Sequence, residues 1–187
     1  MAQVGDNEKR QALEPAGRSV RLNSGENKMT LRDFYLKRAK AEFPVFLKVL
    51  RALPSDLSYK PDERSPSAEQ LVWTLTYELK ALIDVVDTGK SDWQNITPPG
   101  LDEMIGMYEK WSTEILDKVA KLDDASQERN AQFLYQGQVV MEKPLMEFVW
   151  DFMFDAIHHR GQLSAYLRPM GGKVPSIYGP SADDPGM

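Results

Sequence analysis

From Thr30 onward, stretches in which apolar residues recur every three or four positions alternate with short stretches in which they do not. Leu31, Phe34, Tyr35, Phe43, Phe46, Leu47, Leu50 and Leu53 keep that spacing, the mark of a helix with one buried face. Thr30 is placed to cap it, and Pro44, which lacks a backbone donor, predicts a kink or interruption. Pro54 and Pro61 close the segment into a loop. A second helix is announced by Ser65-Pro66-Ser67, since proline suits the first turn and Ser67 with Gln70 can form a capping box. It should run to Thr88-Gly89, with Leu71, Leu75, Leu82 and Val85 as its inward stripe and with Thr74 and Glu78 on that same stripe.

A loop holding Trp93, Pro98 and Pro99 leads to a third helical pattern from Leu101 to Leu122. Between Asp123 and Glu142 only FLYQGQVV is strand-like, turning at Gly137, which predicts at most a hairpin and too little for a sheet. Pro144 opens a last helix, rich in large apolar residues, that ends by Arg168, before Pro169 and Gly171-Gly172. The fold class read from this pattern is all-α, a four-helix bundle with a short irregular or hairpin insertion before the last helix. The connections are long enough for a crossover, so the pattern leaves the topology open. Residues 1–28 are polar and without a sustained period and read as a disordered arm, 29–180 as the bundle, and 181–187 as a tail. Val174, Ile177 and Tyr178 are placed to pin the preceding stretch to the bundle.

Composition narrows the classes of function. A length of 187 residues suits one domain. The 23 Lys+Arg against 28 Asp+Glu give a net charge of −5, which opposes a nucleic-acid partner. No stretch approaches the ~20 apolar residues of a membrane span, and no signal-peptide core is visible, so the expected location is cytoplasmic. With no Cys, disulfides, thiolate metal sites and cysteine nucleophiles are excluded together. No phosphate loop, dinucleotide fingerprint or G-x-S-x-G elbow is present.

The chemistry then rests on polar residues in apolar seams. Phe148, Phe152, Asp155, His159, Leu163 and Tyr166 share one stripe of the last helix, which puts Asp155 and His159 on adjacent turns of one face. If that stripe faces helix two, Glu78, Asp155 and His159 converge inside the bundle. Two carboxylates and an imidazole suit a divalent cation, with positions left open for water or substrate. The plainer alternative is a structural Asp155–His159 ion pair, with Glu78 bonded to a backbone group or to Arg160. His158 lies about 100° around the helix and should point outward or to an interface, while Arg160 and Gln162 are placed to orient the neighbours of His159.

The run Phe154-Asp155-Ala156-Ile157-His158-His159-Arg160-Gly161-Gln162-Leu163, followed by Tyr166-Leu167-Arg168-Pro169-Met170-Gly171 and Val174-Pro175-Ser176-Ile177-Tyr178-Gly179, resembles the carboxy-terminal signature of the DinB/YfiT-like family. The likeness extends more loosely from about Leu31 to Pro180. It implies a four-helix bundle, commonly a homodimer, holding zinc or nickel through three histidines. His159 matches the last of these ligands, Asp155 stands in place of the other histidine of that helix, and Thr74 in place of the one on helix two. Aspartate is a competent ligand and a neutral alcohol a poor one, so the third ligand passes to Glu78, one turn on. On this reading the metal ligands are His159, Asp155 and Glu78, and Thr74, Tyr77, Arg160 and Tyr166 contact a small-molecule substrate. The activity implied is a metal-dependent one, thiol-dependent S-transfer or hydrolysis. The alternative is a non-catalytic dimeric bundle with a degenerate site, serving as a stress-related binding protein.

Overall fold

The computed structural model describes residues 29–186, so the arm expected at 1–28 lies outside the described residues. Four long helices make the body: α1 (Leu31–Arg51), α2 (Ala68–Thr88), α3 (Leu101–Ala120) and, after the short α4 (Asp124–Glu128), α5 (Leu145–Tyr166). Three strands accompany them, β1 (Lys90–Trp93), β2 (Asn130–Tyr135) and β3 (Gln138–Pro144).

Local chemistry sets the helix ends. Thr30 and Asp33 form a reciprocal capping box on α1, with Asp33 N donating to Thr30 Oγ1 at 3.1 Å and Thr30 N to Asp33 Oδ2 at 3.3 Å. Ser67 and Gln70 do the same for α2. Gly89 ends α2 in the left-handed region at φ +83°, its N–H on Val85 O at 2.8 Å. Pro44, expected to interrupt α1, does not: the helix continues through it to Arg51. A proline inside a helix costs about 3 kcal/mol. Phe46, Val49 and Leu50, all buried beyond the expected break, contribute about 1.5–3 kcal/mol each and outweigh it. Pro44 and Lys40, whose carbonyl loses its partner, both lie on the exposed face.

α1 and α2 each pack against α3 and α5 but make little contact with one another, so the two lie diagonally across the bundle and residues 52–67 form the crossing connection. The core fills the space between all four helices, from Tyr35, Phe46 and Leu50 through Leu71, Leu75, Tyr108 and Ile115 to Phe148 and Leu163.

The insertion is more than the expected hairpin. β2 and β3 pair antiparallel about Gln136 and Gly137, both at positive φ as a two-residue hairpin turn requires. β1, read as loop from the sequence, pairs parallel to β2 from Lys90↔Gln132 to Trp93↔Tyr135, giving a sheet ordered β1-β2-β3. The Arg129 guanidinium donates to the carbonyls of Val85 and Val86 at the end of α2, and Asp92 Oδ1 accepts from Gly137 N at 3.1 Å. These bonds hold the sheet beside the α2–α5 seam.

Residues 167–186 run back over the bundle. Val174 and Ile177 pack on the core as expected, and Asp183 Oδ2 accepts from Val174 N at 3.0 Å. No helix among the described residues is long and apolar enough to cross a membrane.

Candidate metal centre

α2 and α5 face each other at Glu78. A ligand atom of Glu78, one of Asp155 and one of His159 all lie within 4.8 Å of one another. This is the convergence that the stripes of the two helices predicted. The three differ in exposure: Glu78 is 5% exposed, His159 is half-buried and Asp155 is open to solvent.

Glu78 Oε2 is buried and has no hydrogen-bond partner. A buried carboxylate oxygen left unpaired is costly, and natural interiors seldom tolerate it without a ligand or function to account for it. Burial pushes the Glu78 carboxyl well above its ordinary range, and the neighbouring Asp155 carboxylate pushes it further. A cation between the two acids would relieve both effects at once.

The imidazole is held for such a role. His159 Nδ1 lies 2.9 Å from Gln162 Oε1 and Nε2 lies 3.3 Å from Asp155 Oδ2, so with its proton on Nδ1 the ring would present Nε2 to a cation beside Asp155. Two carboxylate oxygens and one imidazole nitrogen make a donor set that fits a first-row dication. His158 is exposed, as its position around α5 requires.

Glu78 and Asp155 open onto a cavity of about 530 Å³. Its walls are aromatic, with Trp93 from β1, Phe133 and Tyr135 from β2 and Phe152 from α5. Asp151, one turn before Asp155, also lines it and is paired with Lys143. The sequence reading missed these wall residues. A signal for Asp151 was present, since 151, 155 and 159 follow one another at four-residue steps.

The residues expected to contact substrate are not brought together there. Thr74 lines a separate polar groove with Ser58, Lys60 and Arg64 near the start of α2. Tyr77 stacks on Trp73 with centroids 5.0 Å apart and meets Trp93 edge-on at 4.9 Å, so it backs the cavity wall. Tyr166 is buried against Tyr59 and donates to Pro66 O at 3.2 Å.

Arg160, also expected at the substrate, points instead into the core at 2% exposure, because it lies about 100° around α5 from His159. Its Nη1 donates to Glu42 Oε2 at 2.7 Å, and its guanidinium lies over Phe46 and Tyr178, 4.4 and 4.9 Å from the ring centroids. It makes no bond to Glu78, whose Oε2 has no partner, so of the plainer alternative the Asp155–His159 contact is present and the bonded Glu78 oxygen is not.

Residues 27–186 match the DinB family. No curated protein matches the chain. Among solved structures the fold is similar to a DinB-like protein from Bacillus cereus, at 18% identity and a TM-score of 0.64, over 77% of this chain and 95% of that one. It is also similar to a DinB-like protein from Bacillus subtilis, at 20% identity and a TM-score of 0.57, over 74% of this chain and 92% of that one.

Proposed function

The chain belongs to the DinB family, and from that premise we propose that it is a divalent-metal-dependent enzyme acting on a small molecule, with Glu78, Asp155 and His159 as the metal ligands. The observation that carries the proposal is the buried, unpartnered Glu78 oxygen beside Asp155 and His159. Zinc and nickel suit the donor set. Bound there, such an ion supplies Lewis acidity, lowering the pKa of a thiol or water and polarising an acceptor atom, as S-transfer and hydrolysis both require.

The protein's own groups have separate tasks. Glu78 and Asp155 supply the negative charge, and Gln162 fixes the His159 ring so that Nε2 is the donor. The aromatic walls shield one side of the site from water, which strengthens every electrostatic interaction within it.

Metal analysis of protein purified without a polyhistidine tag should give about one divalent ion per chain, lost in His159→Ala, and chelator should lower the melting temperature. Metal-free protein whose stability is the same with and without chelator would overturn the proposal.

The same reading makes the chain a homodimer. Leu31, Phe34 and Phe154 are exposed, and the rings of Phe34 and Phe154 lie 5.4 and 5.6 Å from that of Trp150, forming a contiguous apolar surface rather than scattered residues. Light scattering at high micromolar concentration should give twice the chain mass of 21.3 kDa, with the single mass recovered in Phe154→Glu. A single-chain mass for the wild type removes the dimer from the proposal.

A further inference from the structure

We infer that the cavity opening onto Glu78 and Asp155 takes a small aromatic molecule carrying no anionic group apart from its metal-binding end. The inference rests on the metal reading of the same site and adds the class of its ligand. At about 530 Å³ the cavity is of a size that holds a small molecule.

Its walls select by shape and by charge. Trp93 meets Phe133 at 6.0 Å with the planes 64° apart, and Phe133 meets Phe152 at 5.4 Å and 74°. These crossed rings offer faces and edges together, so a planar guest can stack on one ring and meet another edge-on. The acidic side chains lining the cavity are Glu78, Asp151 and Asp155, and no Lys or Arg lines it among the described residues.

The charges are already answered. Lys143 pairs with Asp151 from the rim, and a dication would answer Glu78 and Asp155. A phosphate, sulfonate or carboxylate on the body of a ligand would therefore find no free counter-ion in the walls to offset its loss of hydration. The apolar rings remain as the source of affinity, and they favour an uncharged aromatic body.

The test holds the metal-binding atom constant and changes the rest. In metal-loaded protein, calorimetry should find benzyl mercaptan bound at least about tenfold more tightly than 2-mercaptoethanesulfonate. Tyr135→Ala, at an exposed position that does not threaten folding, and Phe133→Ala should each weaken benzyl mercaptan about tenfold with metal content unchanged. Equal or tighter binding of the sulfonate, or unchanged affinity in both variants, overturns the inference. A second arm uses indole, which is uncharged and has no thiol, in chelator-treated protein. Saturable binding that is lost in Phe133→Ala upholds the aromatic cavity even where metal analysis finds no ion. Absence of indole binding overturns it, whatever the metal content proves to be.

Discussion

Glu42 on α1 and Glu78 on α2 are both buried, at 2% and 5% exposure, and α5 supplies the neighbours of both. Burial pushes the Glu42 carboxyl up, but hydrogen bonds from Arg160 and Tyr178, with the charges of Arg160 and Arg38, outweigh it and leave the group below its ordinary value of 4.5. Arg160 donates to one carboxylate oxygen and Arg38 to the other, each at 2.7 Å, and Tyr178 Oη adds a bond of 2.9 Å. Glu78 Oε2 has no hydrogen-bond partner among the described residues, and the polar groups gathered beside it are Asp155 and His159. The same residue type at nearly the same burial is thus saturated in one place and unsatisfied in the other. A buried acid with its partners built in serves the fold, whereas one without them marks where a partner from outside is expected.

The largest effect should come from breaking the saturated side. Arg160→Leu leaves Glu42 buried without its main counter-charge and should cost about 3 kcal/mol or more in urea denaturation, with much of that recovered when Glu42→Leu is added. A cost below about 1 kcal/mol would erase the distinction between the two glutamates.

Glu78→Gln should behave in the opposite sense. Metal affinity measured by calorimetry should fall more than about 100-fold, beyond the range seen for residues that only orient a ligand. The metal-free protein should keep its stability or gain up to about 1 kcal/mol, because a buried carboxyl without a partner beside a second acid has been replaced by a neutral amide. A destabilisation like that of Arg160→Leu would make Glu78 structural.

Gln162→Ala sharpens the comparison at the level of orientation. Freed from its bond at Nδ1, the His159 ring should lose about tenfold in metal affinity, with the fold unchanged by circular dichroism.

The smallest effect is on pH dependence. Because the folded Glu42 carboxyl lies below its ordinary 4.5, its contribution is full above that value and is lost as the pH falls below it toward the folded pKa. Denaturation followed from pH 6 to pH 3 should show stability falling, by less in Arg160→Leu than in the wild type.

The legible parts of the molecule are those decided within a few residues. Ser67 with Gln70 and the Gly89 terminator set the ends of α2 through bonds to neighbouring backbone, so the sequence carries them outright. Asp155 and His159 were legible as a pair because the helical repeat fixes their common direction. β1 was not, since four residues are too few to display a period and its partner, β2, lies some forty positions on. The cavity wall was hidden for the same reason, as it exists only once that sheet forms. Arg160 was misplaced because an arginine on a helix is ordinarily solvated, and nothing local announces that Glu42 and Tyr178 will enclose it.

The order of helices, their caps, the hairpin turn and the chemical types on each helical face follow from the chain itself, because each depends on backbone geometry over a turn or two. The diagonal placement of α1 and α2, the third strand, the enclosure of Arg160 and the isolation of Glu78 were decided only by packing, since each requires segments far apart in sequence to exclude water together.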